Sequence, residues 1–206
     1  MRSLHQGRLR ARVAVFACIA AVAIGIDQIT KACALVALGD GRTIRVIPNL
    51  LSLTLVRNPG ASLGMGSSVT GLISLLACAA CVLLVALAIR TTSMLWTVAF
   101  ALAFSGAAGN LIDRVAYAQG FMNGKVVDFL DYGWSVGNVA DIFLMCAGLG
   151  IVLLMLFSQP FEDEAAAPAG HGPGSADGGS VDGAVGAGAC DDHPTDDDAA
   201  RGTRRT

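Results

Sequence analysis

The sequence predicts an all-α membrane protein: four transmembrane helices, a small amphipathic β-sheet on the outer membrane surface and a disordered C-terminal tail. Three observations carry this. Hydrophobic residues make up 54% of the 206 positions against 15% charged, which is too apolar for a soluble domain of this size. Four segments reach the ~20 apolar residues that a helix needs to cross a bilayer core about 30 Å thick. Only six carboxylates occur in the first 161 residues, Asp27, Asp40, Asp113, Asp128, Asp131 and Asp141, while the other ten acids lie from Glu162 to Asp198.

Taken in order, residues 1–11 form a basic N-terminus with Arg2, Arg8 and Arg10. A membrane domain follows over 12–158, with spans at about 12–38, 69–89, 93–112 and 139–157. The second and third spans are separated only by Arg90, Thr91 and Thr92, so they form a tight antiparallel hairpin. An even number of spans puts both termini on one side. The arginines before the first span make that side cytoplasmic by the positive-inside rule. Arg42, Arg45, Arg57, Arg114 and Lys125 fall on the opposite side, so the first helix and its flank set the orientation. Phe16-Ala17-Cys18 imitates a lipoprotein cleavage site, but the apolar stretch before it is too short for a signal segment and hydrophobicity continues past it.

Between the first two spans the period changes. Leu51, Leu53 and Leu55 alternate with Ser52 and Thr54, and Ile44 and Val46 flank Arg45, a two-residue repeat suited to strands with one apolar face. Pro48-Asn49 is a turn signal between them. A surface sheet is therefore predicted over about 42–66, ending in Arg57-Asn58-Pro59-Gly60-Ala61, a glycine-bearing loop suited to approaching a substrate backbone. Residues 159–206 are Ala, Gly, Asp and Pro without apolar period, and cannot bury enough surface to offset their ordering entropy.

The chemistry gathers at helix ends. Asp27 and Lys31 are spaced i,i+4 with Thr30 beside them, an ion pair that either anchors the helix end or floors a site. Asn110, Asp113 and Arg114 share one face at the end of the third span. There Arg114 interacts favourably with the helix dipole, and Asp113 is structural or substrate-orienting rather than catalytic. Asp128 lies in Val126-Val127-Asp128-Phe129, read as a hydrophobic loop segment, and Asn138 with Asp141 has the spacing of a capping box opening the fourth helix. Two carboxylates sharing one site cannot both ionise easily. Asp128 approaching Asp141 would form a proton-sharing pair able to activate water and protonate a leaving amine. Such a pair needs no metal, cofactor or Ser, Cys or His nucleophile, and His5, His171 and His193 are not placed to help. The Cys78 and Cys81 pair lacks a second such pair or a nearby His and reads as packing rather than redox chemistry. No basic stripe with interleaved aromatics points to nucleic acid.

Five blocks in order, Asp27-Gln28-Ile29-Thr30-Lys31, Arg57-Asn58-Pro59-Gly60-Ala61, Gly109-Asn110-Leu111-Ile112-Asp113-Arg114, Val126-Val127-Asp128-Phe129 and Asn138-Val139-Ala140-Asp141, resemble the motif set of the lipoprotein signal peptidase (signal peptidase II) family. The resemblance covers about Arg12 to Phe157. It implies a bacterial membrane aspartyl endopeptidase that cuts prolipoproteins before a diacylglyceryl-modified cysteine, with Asp128 and Asp141 catalytic. Asp27, Lys31, Asn58, Gly60, Asn110, Asp113, Arg114 and Asn138 would be its supporting and substrate-contacting residues. Its partners would be such prolipoproteins and membrane lipids, without nucleic acid. It would act as a monomer in the cytoplasmic membrane with its site at the outer face. Ser62-Leu63, Gly137 and the long loop from Arg114 to Asp128 depart from the family pattern and bear on cradle contacts and loop geometry. The competing expectation is a small proton- or ion-coupled transporter relaying through the membrane carboxylates, which would place them near the bilayer midplane.

Overall fold

The computed structural model describes residues 2–60 and 70–162, with side chains from residue 7. The chain divides into two units, Met1–Pro168 and Ala169–Thr206. The second unit lies outside the described residues, as do Ser62 and Leu63 and the predicted tail from residue 163.

Four helices carry the hydrophobic runs: α1 (Arg2–Ala37), α2 (Thr70–Arg90), α3 (Met94–Ala116) and α4 (Val139–Leu156). Each is long and apolar enough to cross a membrane. α3 is the hub and packs against the other three. Half of its span is buried inside the protein, against 11–17% for the others, because its small-residue face lets neighbours approach closely. A Cβ on Gly106 would come 2.5 Å from the Ala140 carbonyl oxygen, and one on Gly109 would come 2.6 Å from Asp27 Oδ2. Only glycine fits at either place. α3 also runs one turn beyond the predicted end at residue 112, so Asp113 and Arg114 belong to its last turn.

Strand β1 (Ile44–Ile47) pairs antiparallel with β2 (Leu51–Asn58). The turn between them follows from Pro48-Asn49: Asn49 adopts φ 62°, and the Leu50 N–H donates to the Ile47 carbonyl at 3.1 Å. Asparagine tolerates this left-handed position. The sheet is larger than the sequence suggests. β2 pairs on its other edge with β3 (Val126–Asp131), which pairs with β4 (Val136–Gly137), all antiparallel in the order β1-β2-β3-β4. The segment predicted as a hydrophobic loop is thus an inner strand. Val126, Val127, Asp128 and Phe129 are all buried, so no alternation marks them, and the partner strand is remote in sequence. Their pairing sets Val56 opposite Asp128 and Asn58 opposite Val126.

At the other end of the bundle, the Phe161 ring lies 5.7 Å from that of Trp96 and 6.2 Å from that of Phe100. Its carbonyl accepts from Thr91 Oγ1 at 2.7 Å and from the Thr92 N–H at 3.0 Å. The packed body therefore passes the boundary drawn at 158. A single phenylalanine after Pro160 offers no periodicity from which to read this.

Candidate active site

Where α1 and α3 end and α4 begins, polar side chains are buried together. Lys31 Nζ lies 2.9 Å from Asp27 Oδ2 and 2.9 Å from Asp113 Oδ2, so one ammonium balances two carboxylates that would be costly to leave alone. Each acid also ties down a second element. Asp27 Oδ1 accepts from the Ala140 N–H at 2.9 Å in the first turn of α4, satisfying one of the amides that a helix start leaves without an internal partner. Asp113 Oδ2 accepts from the Val127 N–H of β3 at 3.0 Å. Asp113 thus faces Lys31 and the sheet rather than its neighbour Arg114. Thr30, predicted on the same face, turns its hydroxyl back to the Ile26 and Asp27 carbonyls.

From Lys31 the network passes through two amides to two carboxylates. Asn110 Oδ1 accepts from Lys31 Nζ at 3.1 Å and from Asn138 Nδ2 at 2.9 Å, so its Nδ2 faces Asp141 and donates to Oδ1 at 2.9 Å. Asn138 forms the capping box anticipated from its spacing: its Oδ1 accepts from the Asp141 N–H at 3.1 Å, and its own N–H donates to Asp141 Oδ2 at 3.0 Å. Asn138 Nδ2 also donates to Asp128 Oδ1 at 2.6 Å, while Asn58 Nδ2 donates to Asp128 Oδ2 at 2.9 Å. Asn58 is itself fixed, because its Oδ1 accepts from the Gly60 N–H at 3.0 Å. All four oxygens of Asp128 and Asp141 therefore accept an amide hydrogen, and Asn138 contacts both residues.

Burial pushes the Asp128 carboxyl up to about 6. The charge of Asp141 adds to the rise, while the hydrogen bonds from Asn58 and Asn138 and the charge of Lys31 oppose it. Asp141 lies in the first turn of α4. Arg114 is buried, and one terminal nitrogen donates to the Gly60 carbonyl at 2.8 Å. Its Nη1 has no partner among the described residues.

These groups border a cavity of about 370 Å³ that includes Asn58, Gly60, Asn110, Arg114, Asp128 and Asp141. Every supporting residue proposed from the sequence thus joins one assembly, Asp27, Lys31 and Asp113 lying behind the cavity wall. The sequence reading missed Gln28, whose Nε2 donates to Asp27 at 3.0 Å and to the Gly109 carbonyl at 3.2 Å. It also missed the wall formed by Tyr132, Trp134, Leu144 and Met145. Gln28 directly follows Asp27, and Trp134 is an aromatic in a short link between two acid motifs; these were the available signals.

The family model for "Signal peptidase (SPase) II" matches residues 19–158. A lipoprotein signal peptidase from Bifidobacterium adolescentis is 74% identical over 159 residues, which cover 77% of this chain and 85% of that protein. One from Rhodococcus jostii is 39% identical over 153 residues, covering 74% of this chain and 75% of that one. A solved structure described as a bacterial membrane enzyme, determined in meso at 2.3 Å, is 29% identical with a TM-score of 0.62, covering 76% of this chain and 96% of that chain. With four membrane-spanning helices, the matched motif region and these relatives, the chain belongs to the signal peptidase II family of membrane aspartic peptidases.

Proposed function

We propose that this peptidase removes signal peptides from bacterial prolipoproteins by cutting before a diacylglyceryl-modified cysteine, with Asp128 and Asp141 as the catalytic pair. The observation that carries the assignment is Asn138, which donates through Nδ2 to the Asp128 carboxylate and through its backbone N–H to the Asp141 carboxylate, both at the edge of one cavity. Asp128 holds the shared proton and Asp141 is the charged partner. Asp141 takes a proton from water, and the resulting hydroxide attacks the carbonyl carbon preceding the modified cysteine. Arg114 Nη1, a buried donor without a partner among the described residues, faces the oxyanion that forms. Asp128 then passes its proton to the leaving amide nitrogen, the C–N bond breaks, and the proton held by Asp141 restores the shared one.

The sheet receives the substrate as a cradle. The enzyme sits in the bacterial cytoplasmic membrane with both termini cytoplasmic and the cavity at the outer face, an orientation supported by Arg8, Arg10 and Arg12 at the start of α1. It acts as a monomer among membrane lipids. The transporter alternative is not favoured, because the family is a peptidase family and the carboxylates gather at helix ends. Incubating purified protein with a diacylglyceryl-modified prolipoprotein, then reading the new N-terminus by mass spectrometry, tests the assignment. Cleavage at another bond, or equal cleavage of unlipidated substrate, would overturn it.

A further inference from the structure

A second cavity, of about 410 Å³, opens beside the end of α3 and is lined by Arg57, Ala116, Tyr117, Gln119, Asn123 and Lys125 among others. Among the described residues, no carboxylate lines it. The Arg57 guanidinium stacks over the Tyr117 ring, 4.5 Å from its centroid, which holds a flexible cation in place. Arg57 also borders a neighbouring cavity containing Asp131, yet among the described residues the side chains of Arg57 and Lys125 make no ion pair. Asn123 Oδ1 is occupied by the N–H groups of Gln119 and Gly120 at 3.0 and 2.8 Å, so the capacity left on that side chain is its Nδ2 donor. Two like charges and a set of donors in one cavity are mutually repulsive until an anion joins them.

The depth of the cavity narrows the identity of that anion. Ala116, which lines it, is the last residue of a membrane span, and Tyr117 and Phe121 just beyond it are exposed aromatics. Aromatics of this kind sit at the boundary where lipid headgroups begin. We infer that this cavity binds the phosphate of an anionic membrane phospholipid, with Arg57 forking onto two phosphate oxygens and Lys125 as the second charge. The inference goes beyond the peptidase reading, because a diacylglyceryl-cysteine carries no phosphate.

Native mass spectrometry of the full chain in neutral detergent, titrated with phosphatidylglycerol or phosphatidylcholine, tests it. Phosphatidylglycerol should bind preferentially. In the double variant R57Q/K125Q its affinity should fall about 30-fold, the product of two contributions of the size expected for Lys or Arg near an anionic surface. The charge-keeping pair R57K/K125R, which loses the fork and the stacking but keeps both charges, should lose clearly less binding than R57Q/K125Q, and R90Q, at the far end of the bundle, should lose none. Unchanged affinity in folded R57Q/K125Q, loss in R57K/K125R equal to that in R57Q/K125Q, or equal binding of both lipids would overturn the inference. Complete displacement of the lipid by equimolar inorganic phosphate would identify the free anion as ligand and overturn the membrane source. Because no cleavage is measured, failure here is distinct from failure of the peptidase assignment.

Discussion

The ammonium of Lys31 lies 3.1 Å from the amide oxygen of Asn110, and this contact, together with the one from Asn138 Nδ2, decides which end of the amide Asp141 meets. Asn110→Ala deletes the donor to Asp141 and leaves the buried ion pairs of Lys31 with Asp27 and Asp113 intact, so it should lower kcat/KM by about 100-fold, the scale of small misplacements in an active site, with little change in melting temperature. Lys31→Met should do both kinds of damage. It strands Asp27 and Asp113, at a cost of about 3–5 kcal/mol. A fully active Asn110→Ala enzyme would remove the amide from the positioning chain.

Asp128→Asn and Asp141→Asn should each lower turnover by about 10³-fold or more, within the range attributed to positioned acid–base groups, while circular dichroism shows unchanged helix content. Near-normal cleavage by either variant would refute the proton-sharing pair.

The raised Asp128 carboxyl also has a stability signature. In the folded protein it titrates near 6 rather than 3.8, so protonation favours the folded state. This contribution is fully present below pH 3.8 and is lost as pH rises through about 6. A shift of this size corresponds to about 3 kcal/mol. The melting-temperature difference between the protein and its Asp128→Asn variant, followed from pH 4 to pH 8, should therefore move in favour of the variant as pH rises. A pH-independent difference would contradict the burial argument.

Truncation should separate the packed end from the rest of the tail. Deletion after Glu162 should leave cleavage per molecule unchanged. Deletion after Gln159 removes Phe161 from Trp96 and Phe100 and should cost about 1–2 kcal/mol of stability, read as a lower melting temperature in detergent. A tenfold fall in the cleavage rate of the shorter deletion, still folded, would give the tail a part in catalysis.

For orientation, in a cysteine-free background, Gly120→Cys should react with an impermeant thiol reagent outside intact cells and Ser175→Cys should not. The reverse labelling would invert the topology.

The parts of this molecule legible in its sequence are those governed by local rules. Helix α4 and its capping box could be read from Asn138 and Asp141 alone, because a cap is set within one turn. The Pro48-Asn49 turn and the Asp27–Lys31 pair are equally local. What escaped notice depends on distant neighbours. Val126 to Phe129 look like a loop until β2 lies beside them, since a strand buried on both faces has no alternation. Asp113 could be read only as structural or substrate-orienting, because its partner Lys31 lies on another helix. Gln28 and Trp134 acquire meaning only once Gly109 and the cavity are in place.

The bond from Asp27 Oδ1 to the Ala140 N–H joins residues 113 apart in the chain, and this bears on how the enzyme is born. The Asp27–Lys31 pair emerges early in synthesis, Asn110 and Arg114 much later, and Asn138 and Asp141 with the last span. Until that span enters the membrane, the relay from Lys31 stops at Asn110, and Asp128 has neither Asn138 nor a second acid. On the proposed assignment, a ribosome-bound chain with three spans inserted holds Asp128 without Asn138 or Asp141, so the carboxylate pair is completed only by the last span.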